Sequence, residues 1–351
     1  MTAMLKENIM DKGVNIFITG GTGFIGSYII KYLLKRGYHN LIALKRKQSR
    51  MDLVQDPEQK IQWIEGDLMD EYCYQEALEK ADYVIHAAAF IGFDPAARKK
   101  MYALNIQGTA NLVNHCLAKN IKKFVHISST AAIGRFKKEQ EIDEDSEWQK
   151  SIFNSHYAIT KHLSEMEVWR ASAEGLPVAI INPSVVLGGG FWNTGSSNLF
   201  LKAWHGIPFY PKGKTGYVDV RDVAKTTIIL MESEKINERY ICNGGNLEYS
   251  ELFKFMFEGF EKKGPSRILP NWLGAIAWRV EKLKSFFTRQ APMITKETIR
   301  LSRNKYTYIN HKSVQDLGIT YISLEESIKE AAKALKISIK TGKDHSHLEL
   351  I

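Results

Sequence analysis

Residues 14–26 read Val-Asn-Ile-Phe-Ile-Thr-Gly-Gly-Thr-Gly-Phe-Ile-Gly. Residues 14–19 form a short apolar, β-branched run that stops at glycine, which predicts a buried strand. Residues 24–36 have helical periodicity and end at Gly37. Between the two, Gly20 permits a tight turn, Gly23 lets the backbone approach a pyrophosphate, and Gly26 allows the helix to lie close to the sheet. The helix N-terminus adds free N–H groups and the positive end of a dipole, so it favours an anion. A glycine triplet alone is weak evidence. Here it stands between a strand and a helix, the context that a dinucleotide site demands. Phe24 and Ile25 open that helix and join the glycines as candidate cofactor contacts.

Working outward, strands are predicted at 41–44, 61–65, 83–86, 123–128 and 177–181, with helices at 96–118 and 155–173. Strands alternating with helices imply a parallel sheet covered on both faces. The predicted fold class is therefore α/β, a doubly wound Rossmann sheet with a smaller, mostly helical C-terminal substrate lobe. The dinucleotide-binding domain is expected over 13–190, completed by about 216–245. Residues 191–215 and 246–340 are expected to build the lobe. Residues 1–12 and 341–351 read as flexible tails.

The chain has 351 residues and a net charge of +9. That length supports a sizeable core without disulfides or metals. Cys73, Cys116 and Cys242 are far apart and show no CxxC spacing, as expected of reduced thiols in a cytoplasmic protein. There is no signal-like segment and no apolar run of bilayer-spanning length. Zinc-finger spacing, an aromatic RNA-binding signature and internal repeats are also missing, so nucleic acid is not the expected partner. His345 and His347 form a His-x-His pair without a third ligand, and no metal site is assigned. Trp272, Trp278, Phe286 and Phe287 fall in an amphipathic stretch with Arg279, Lys282 and Lys284. That stretch reads as a packed helix of the lobe in preference to a membrane-surface helix.

The glycine spacing in TGGTGFIG resembles that of the extended short-chain dehydrogenase/reductase family, and more than half of the chain follows that family's order of motifs. About twenty residues past the glycines, NAD enzymes place an acidic residue on a ribose hydroxyl. This chain has Lys45 and Arg46 there. A guanidinium pairs bidentately with a 2′-phosphate that a carboxylate would repel. NADP(H) is thus preferred over NAD(H), with Arg46 foremost and Lys45, Ser49 or Arg50 as helpers. Gly66-Asp67-Leu68 resembles the family's adenine-contacting element, although Asp67 could equally cap a helix. Ala87-Ala88-Ala89 resembles its small-residue turn beside the cofactor. Pro183 and Val186 resemble the segment that packs on the nicotinamide.

Tyr157-Ala158-Ile159-Thr160-Lys161 resembles the family's YxxxK signature. An i,i+4 pair shares one helix face. A phenol with an ordinary pKa near 10 is a reluctant acid or base, and a neighbouring ammonium favours the phenolate. Tyr157 is thereby expected to be the general acid/base, with Lys161 also on the ribose. The family places a Ser or Thr on the substrate oxygen. Ser129 fits best, with Ser128 and Thr130 as alternative registers. Asn105 and the pair Asp219 and Asp222 are read as structural.

The resemblance implies an oxidoreductase similar to the dihydroflavonol-reductase and 3β-hydroxysteroid-dehydrogenase branch, acting on a small carbonyl or alcohol. Its expected assembly is a homodimer. A nucleotide-sugar epimerase with retained NAD is the alternative enzyme. An NADP(H)-sensing regulator is the non-catalytic one, and the tyrosine–lysine pair argues against it.

Overall fold

The computed structural model describes residues 10–54, 60–92, 95–270, 272–276, 278–280 and 295–351. The first half alternates strand and helix: β1 (Ile16–Thr19), α1 (Phe24–Lys35), β2 (Leu41–Lys45), β3 (Ile61–Glu65), α2 (Gln75–Lys80), β4 (Tyr83–His86), α3 (Arg98–Tyr102), α4 (Gly108–Leu117) and β5 (Lys123–Ile127). A wide π-type turn at Ala103–Gln107 joins α3 to α4, so the single helix expected over 96–118 is interrupted. Then follow β6 (Glu139–Ile142), α5 (His156–Ala173), β7 (Val178–Pro183), β8 (Val185–Leu187), α6 (Asn198–Trp204), β9 (Phe209–Tyr210), β10 (Lys214–Asp219), α7 (Val220–Glu232), β11 (Glu238–Cys242), β12 (Gly245–Glu248), α8 (Tyr249–Phe260) and β13 (Arg267–Ile268). The chain closes with α9 (Lys296–Leu301), β14 (Lys305–Tyr308), α10 (His311–Leu317) and α11 (Leu324–Lys340).

Seven strands form one parallel sheet in the order β11-β7-β5-β4-β1-β2-β3. Its central strands are continuous apolar runs, as burial on both faces requires. Ile16, Ile18, Ile85 and Val125 pack with α1 and α7 residues such as Ile29, Leu33, Val223 and Ile228. Phe17, Val84 and Phe124 face the opposite layer with Leu112, Val113 and Val168. Strand order reverses between β1 and β4, and that reversal opens a crevice at their C-terminal ends.

The lobe carries helices as expected. Its core joins Leu252, Met256 and Phe260 of α8 to Ile328, Ala331 and Leu335 of α11. It also carries a five-stranded sheet with no forecast in the sequence, β12-β10-β14-β6 with β8 against β10. That sheet matters for function, because β6 follows the Ser129 loop and β14 lies beside it.

Two expectations about packing need correction. The C-terminal residues are not frayed. Ser346 N–H donates to Gly190 O at 3.0 Å, Leu348 is buried, and the His347 ring stacks on Tyr28 at 3.6 Å. A polar end is held here through its backbone and one leucine, which hydropathy does not reveal. Residues 272–276 are helical and bury Gly274 against Ile299 and Leu269, but Trp272 lies on the outer side of that helix, 66% exposed, and adds nothing to its packing. Phe286, Phe287, Lys282 and Lys284 lie outside the described residues, as do residues 1–9. Lys12, assigned to a flexible tail, is tied at 2.9 Å to Glu232. Among the described residues, no helix is long and apolar enough to cross a membrane.

Candidate active site

The crevice between β1 and β4 is shaped by glycine. Gly20 has φ +74°, and a Cβ there would stand 2.6 Å from the Ala88 nitrogen. A Cβ on Gly26 would stand 2.2 Å from Gly20 O. The Gly23 N–H closes the loop on Gly20 O at 2.9 Å. Side chains are thus excluded from the floor, leaving bare backbone at the start of α1, a cradle that fits a pyrophosphate. Phe24 lies against Gly190, Ile25 packs on the core, and Ala87, Ala88 and Ala89 form the opposing rim.

At the end of β2 the basic residues part company. Lys45 pairs with Glu65 at 3.6 Å. Arg46 is exposed, and its N–H donates to Ser49 Oγ at 3.0 Å. Among the described residues its guanidinium meets no partner. Arg50 is occupied: it forks onto Asp344 at 2.5 and 2.8 Å, donates to Asp52 at 3.0 Å, and lies 4.3 Å over the Phe191 ring. The C-terminal segment has therefore claimed one expected helper. Asp67 Oδ1 accepts from Met69 N–H at 3.0 Å, a local cap that leaves its other oxygen without a partner among the described residues. The Leu68 side chain is buried in the sheet's second core layer.

The catalytic candidates converge on α5. Ser155 caps it, its Oγ accepting from Ala158 N–H at 3.0 Å. The buried face then carries Thr160, Lys161, Ser164 and Glu165 where an ordinary helix would carry aliphatics. The Ser129 hydroxyl accepts from Ala131 N–H at 3.1 Å and lies close enough to the Tyr157 phenol to ease its ionisation. Ser128 points elsewhere, donating to Glu165 Oε2 at 2.6 Å. Of these two neighbouring hydroxyls, Ser129 is the one that meets the phenol. Burial pushes the phenol up to about 12, while the Ser129 hydroxyl and the Arg135 charge act against it.

Lys161 does not acidify Tyr157 as expected. Its ammonium donates to Ile127 O at 3.0 Å and lies 3.5 Å from His126 Nε2. Burial pulls it down to about 8, with Glu165 opposing. One helical turn separates lysine from tyrosine, and the β5 carbonyl captures the ammonium. The cation bearing on the phenol is Arg135.

Four residues escaped the sequence reading. Glu165 follows Lys161 at the i,i+4 step, accepts from Ser128 and Asn182 (2.8 Å), and pairs with Arg239 at 3.3 Å. Periodic spacing of Tyr157, Lys161 and Glu165 was the available signal. Asn182 also donates to Ser129 O at 3.1 Å, fixing that loop. His86 and His126 are buried behind Lys161 with rings 5.2 Å apart. Neither histidine has a sequence signature beyond a place on a central strand.

Asn105 holds the cofactor-side loop to α5, bonding Phe90 N and O at 2.7 and 2.9 Å and Thr160 at 3.1 Å. Asp219 forks with buried Arg221, which reaches Glu330 of α11. Asp222 accepts Ile322 N–H at 2.8 Å. Pro183 ends β7, and Val186 O accepts from the Ser196 hydroxyl.

Residues 16–243 match the NAD dependent epimerase/dehydratase family. The chain is 30% identical over 258 residues to tetraketide alpha-pyrone reductase 2 of Arabidopsis thaliana, covering 68% of this chain and 80% of that one. It superposes on the crystal structure of gox2253 with TM-score 0.78 at 27% identity, covering 94% and 99% of the two chains. It shares its fold with DesIV, a dTDP-glucose 4,6-dehydratase of Streptomyces venezuelae solved with NAD and TYD bound (TM-score 0.76, 18% identity, 93% and 98% covered).

Proposed function

Because the chain belongs to the NAD dependent epimerase/dehydratase family and is an enzyme of the extended short-chain dehydrogenase/reductase type, we propose that it is an NADP(H)-dependent oxidoreductase of a small carbonyl or alcohol. The observation that carries this reading is that Tyr157 and Lys161 stand one turn apart on α5, with the Ser129 hydroxyl beside the phenol. When bound, the nicotinamide supplies or accepts the hydride.

The chain's own residues then have distinct tasks. Gly20, Gly23 and Gly26 admit the pyrophosphate to the α1 N-terminus. Ser129 donates to the substrate oxygen and holds it beside Tyr157. In reduction, Tyr157 delivers its proton to that oxygen as negative charge develops; in oxidation it takes the proton back. A phenol raised by burial holds its proton at neutral pH, which suits the acid role and hence reduction. A positive nicotinamide nearby would favour the phenolate for the reverse step. Lys161 is released from Ile127 O to reach the ribose hydroxyls.

Arg46 supports the choice of NADP(H). Its exposed guanidinium is unpaired among the described residues, at the strand end where a 2′-phosphate would lie. The reading is tested by titrating purified protein with NADPH and NADH, then screening carbonyls and alcohols by the absorbance of the reduced nicotinamide. Turnover with NADPH is expected. Stoichiometric NAD retained through purification, with no net redox turnover, would overturn it in favour of an epimerase.

A further inference from the structure

Arg135 stands just past the Ser129 loop, and nothing in the expected chemistry uses it. Its backbone N–H is fixed by Asn154 Oδ1 at 3.0 Å. Its Nε and Nη2 both donate to the Tyr308 hydroxyl, at 2.9 and 2.6 Å. The guanidinium carbon lies 4.9 Å from the Tyr306 ring centre and 5.9 Å from that of Tyr308. The charge reaches Tyr157, where it favours the phenolate.

No carboxylate among the described residues forms an ion pair with it. That is unusual, because withdrawn charges are ordinarily paired. Arg300 also bears on Tyr306, has no ion pair among the described residues, and buries an Nε that lacks any partner. Two cations, neither ion-paired with a carboxylate among the described residues, therefore act on one aromatic cluster, and one of them also bears on the reacting phenol.

We propose that Arg135, backed by Arg300, binds an oxyanion carried by the substrate, so that the enzyme acts on carbonyls or alcohols bearing a carboxylate or phosphate group. This rests on the oxidoreductase reading above and narrows it. With Nε and one Nη2 hydrogen held by Tyr308, the outer edge of the guanidinium keeps Nη1 and the remaining Nη2 hydrogen. That edge can grip two oxygens at once. The tyrosine rings hold the fork at a fixed orientation, which limits the entropy lost on binding. An anion seated there would set the distance between charged group and reacting carbon, and so select among substrates.

The test separates binding from turnover. Thermal melting of the protein with NADP+ is measured with benzoate, phenyl phosphate or the neutral isostere benzamide. In parallel, 2-, 3- and 4-oxo acids are compared with their methyl esters as substrates. A melting shift is expected with at least one anion and not with benzamide, and the larger of the two anion shifts identifies carboxylate or phosphate. Arg135→Met should abolish that shift and raise KM for an oxo acid about 10- to 100-fold while the ester's KM changes far less; the loss of its charge near Tyr157 should alter kcat alike for acid and ester. Arg135→Lys keeps the charge but not the fork and should lie between; Arg300→Met should show a smaller loss. Equal shifts with benzoate and benzamide, no shift with either anion, or an anion shift that survives Arg135→Met overturns the proposal. Anion binding without turnover of any oxo compound would leave the site standing and sink the oxidoreductase reading instead.

Discussion

Glu165 accepts the Ser128 hydroxyl at 2.6 Å and so holds the residue next to the one that meets Tyr157. The same carboxylate binds Asn182 and the Arg239 guanidinium. Glu165 is 2% exposed, so its removal strands the buried Ser128 and Asn182 donors and unpairs the half-buried Arg239. Glu165→Ala is expected to lower stability by about 3 kcal/mol, within the range for breaking a buried pair from one side. Glu165→Gln keeps an acceptor and should lose less. Urea unfolding of the three proteins checks the order, and equal midpoints would remove Glu165 from the framework of the site.

Tyr157→Phe keeps the ring and loses the proton. Turnover should fall about 10²- to 10⁴-fold, with the melting temperature within a few degrees of the parent's. Ser129→Ala should lower turnover as well, since it removes both the substrate-oxygen donor and a hydroxyl that eases the phenol's ionisation. Steady-state rates measured beside thermal melts make the distinction. Near-parental turnover in the Tyr157→Phe variant would end the general-acid assignment.

Much of this was legible in the sequence, for a physical reason. The seven-stranded sheet is read from apolar runs because buried parallel strands must be apolar throughout. Gly20 and Gly26 are read because no side chain fits where they stand. The short strands β6, β8 and β14 are different. Each has three or four residues and pairs with partners far along the chain, so local pattern carries no trace of them. Arg135 looks like the start of a solvated basic run, and only β14 folding over it reveals two tyrosines against its guanidinium. Lys161 was placed on the correct face, but which acceptor would capture it depended on β5.

The buried histidines make stability depend on acid. His86 bonds Thr19 at 2.6 Å and Thr109 at 3.0 Å. Burial pulls it down to about 3 and pulls His126 well below its usual value. Both stay neutral in the folded protein while the unfolded chain takes up protons below about pH 6.5. Their stabilising contribution is therefore complete above that pH and is lost as pH falls. Asp222, raised to about 7 by burial, has the opposite slope and masks part of the effect. The clean observable is a difference. His126→Asn should flatten the fall in unfolding free energy between pH 6 and 5 by about 1.4 kcal/mol per pH unit, one proton's worth. Parallel curves for parent and variant would show that His126 is already charged when folded.

Arg46 and Arg50 differ by four positions and should differ sharply in effect. Arg46 offers a guanidinium with no partner among the described residues, just past the end of β2. Arg50 is committed to Asp344 and Asp52. A charge-assisted bond to phosphate contributes about 1.5–3 kcal/mol, or roughly 10- to 150-fold in affinity. Arg46→Ala should weaken NADPH binding by that factor and leave NADH nearly unchanged. Arg50→Ala removes an exposed pair, and it should shift melting slightly while leaving the ratio of NADPH to NADH affinity intact. Fluorescence titration of both variants with both cofactors decides the matter. If Arg50→Ala were the variant that lost the preference, Arg50 would have to leave Asp344 on cofactor binding, and the C-terminal segment would have to release with it.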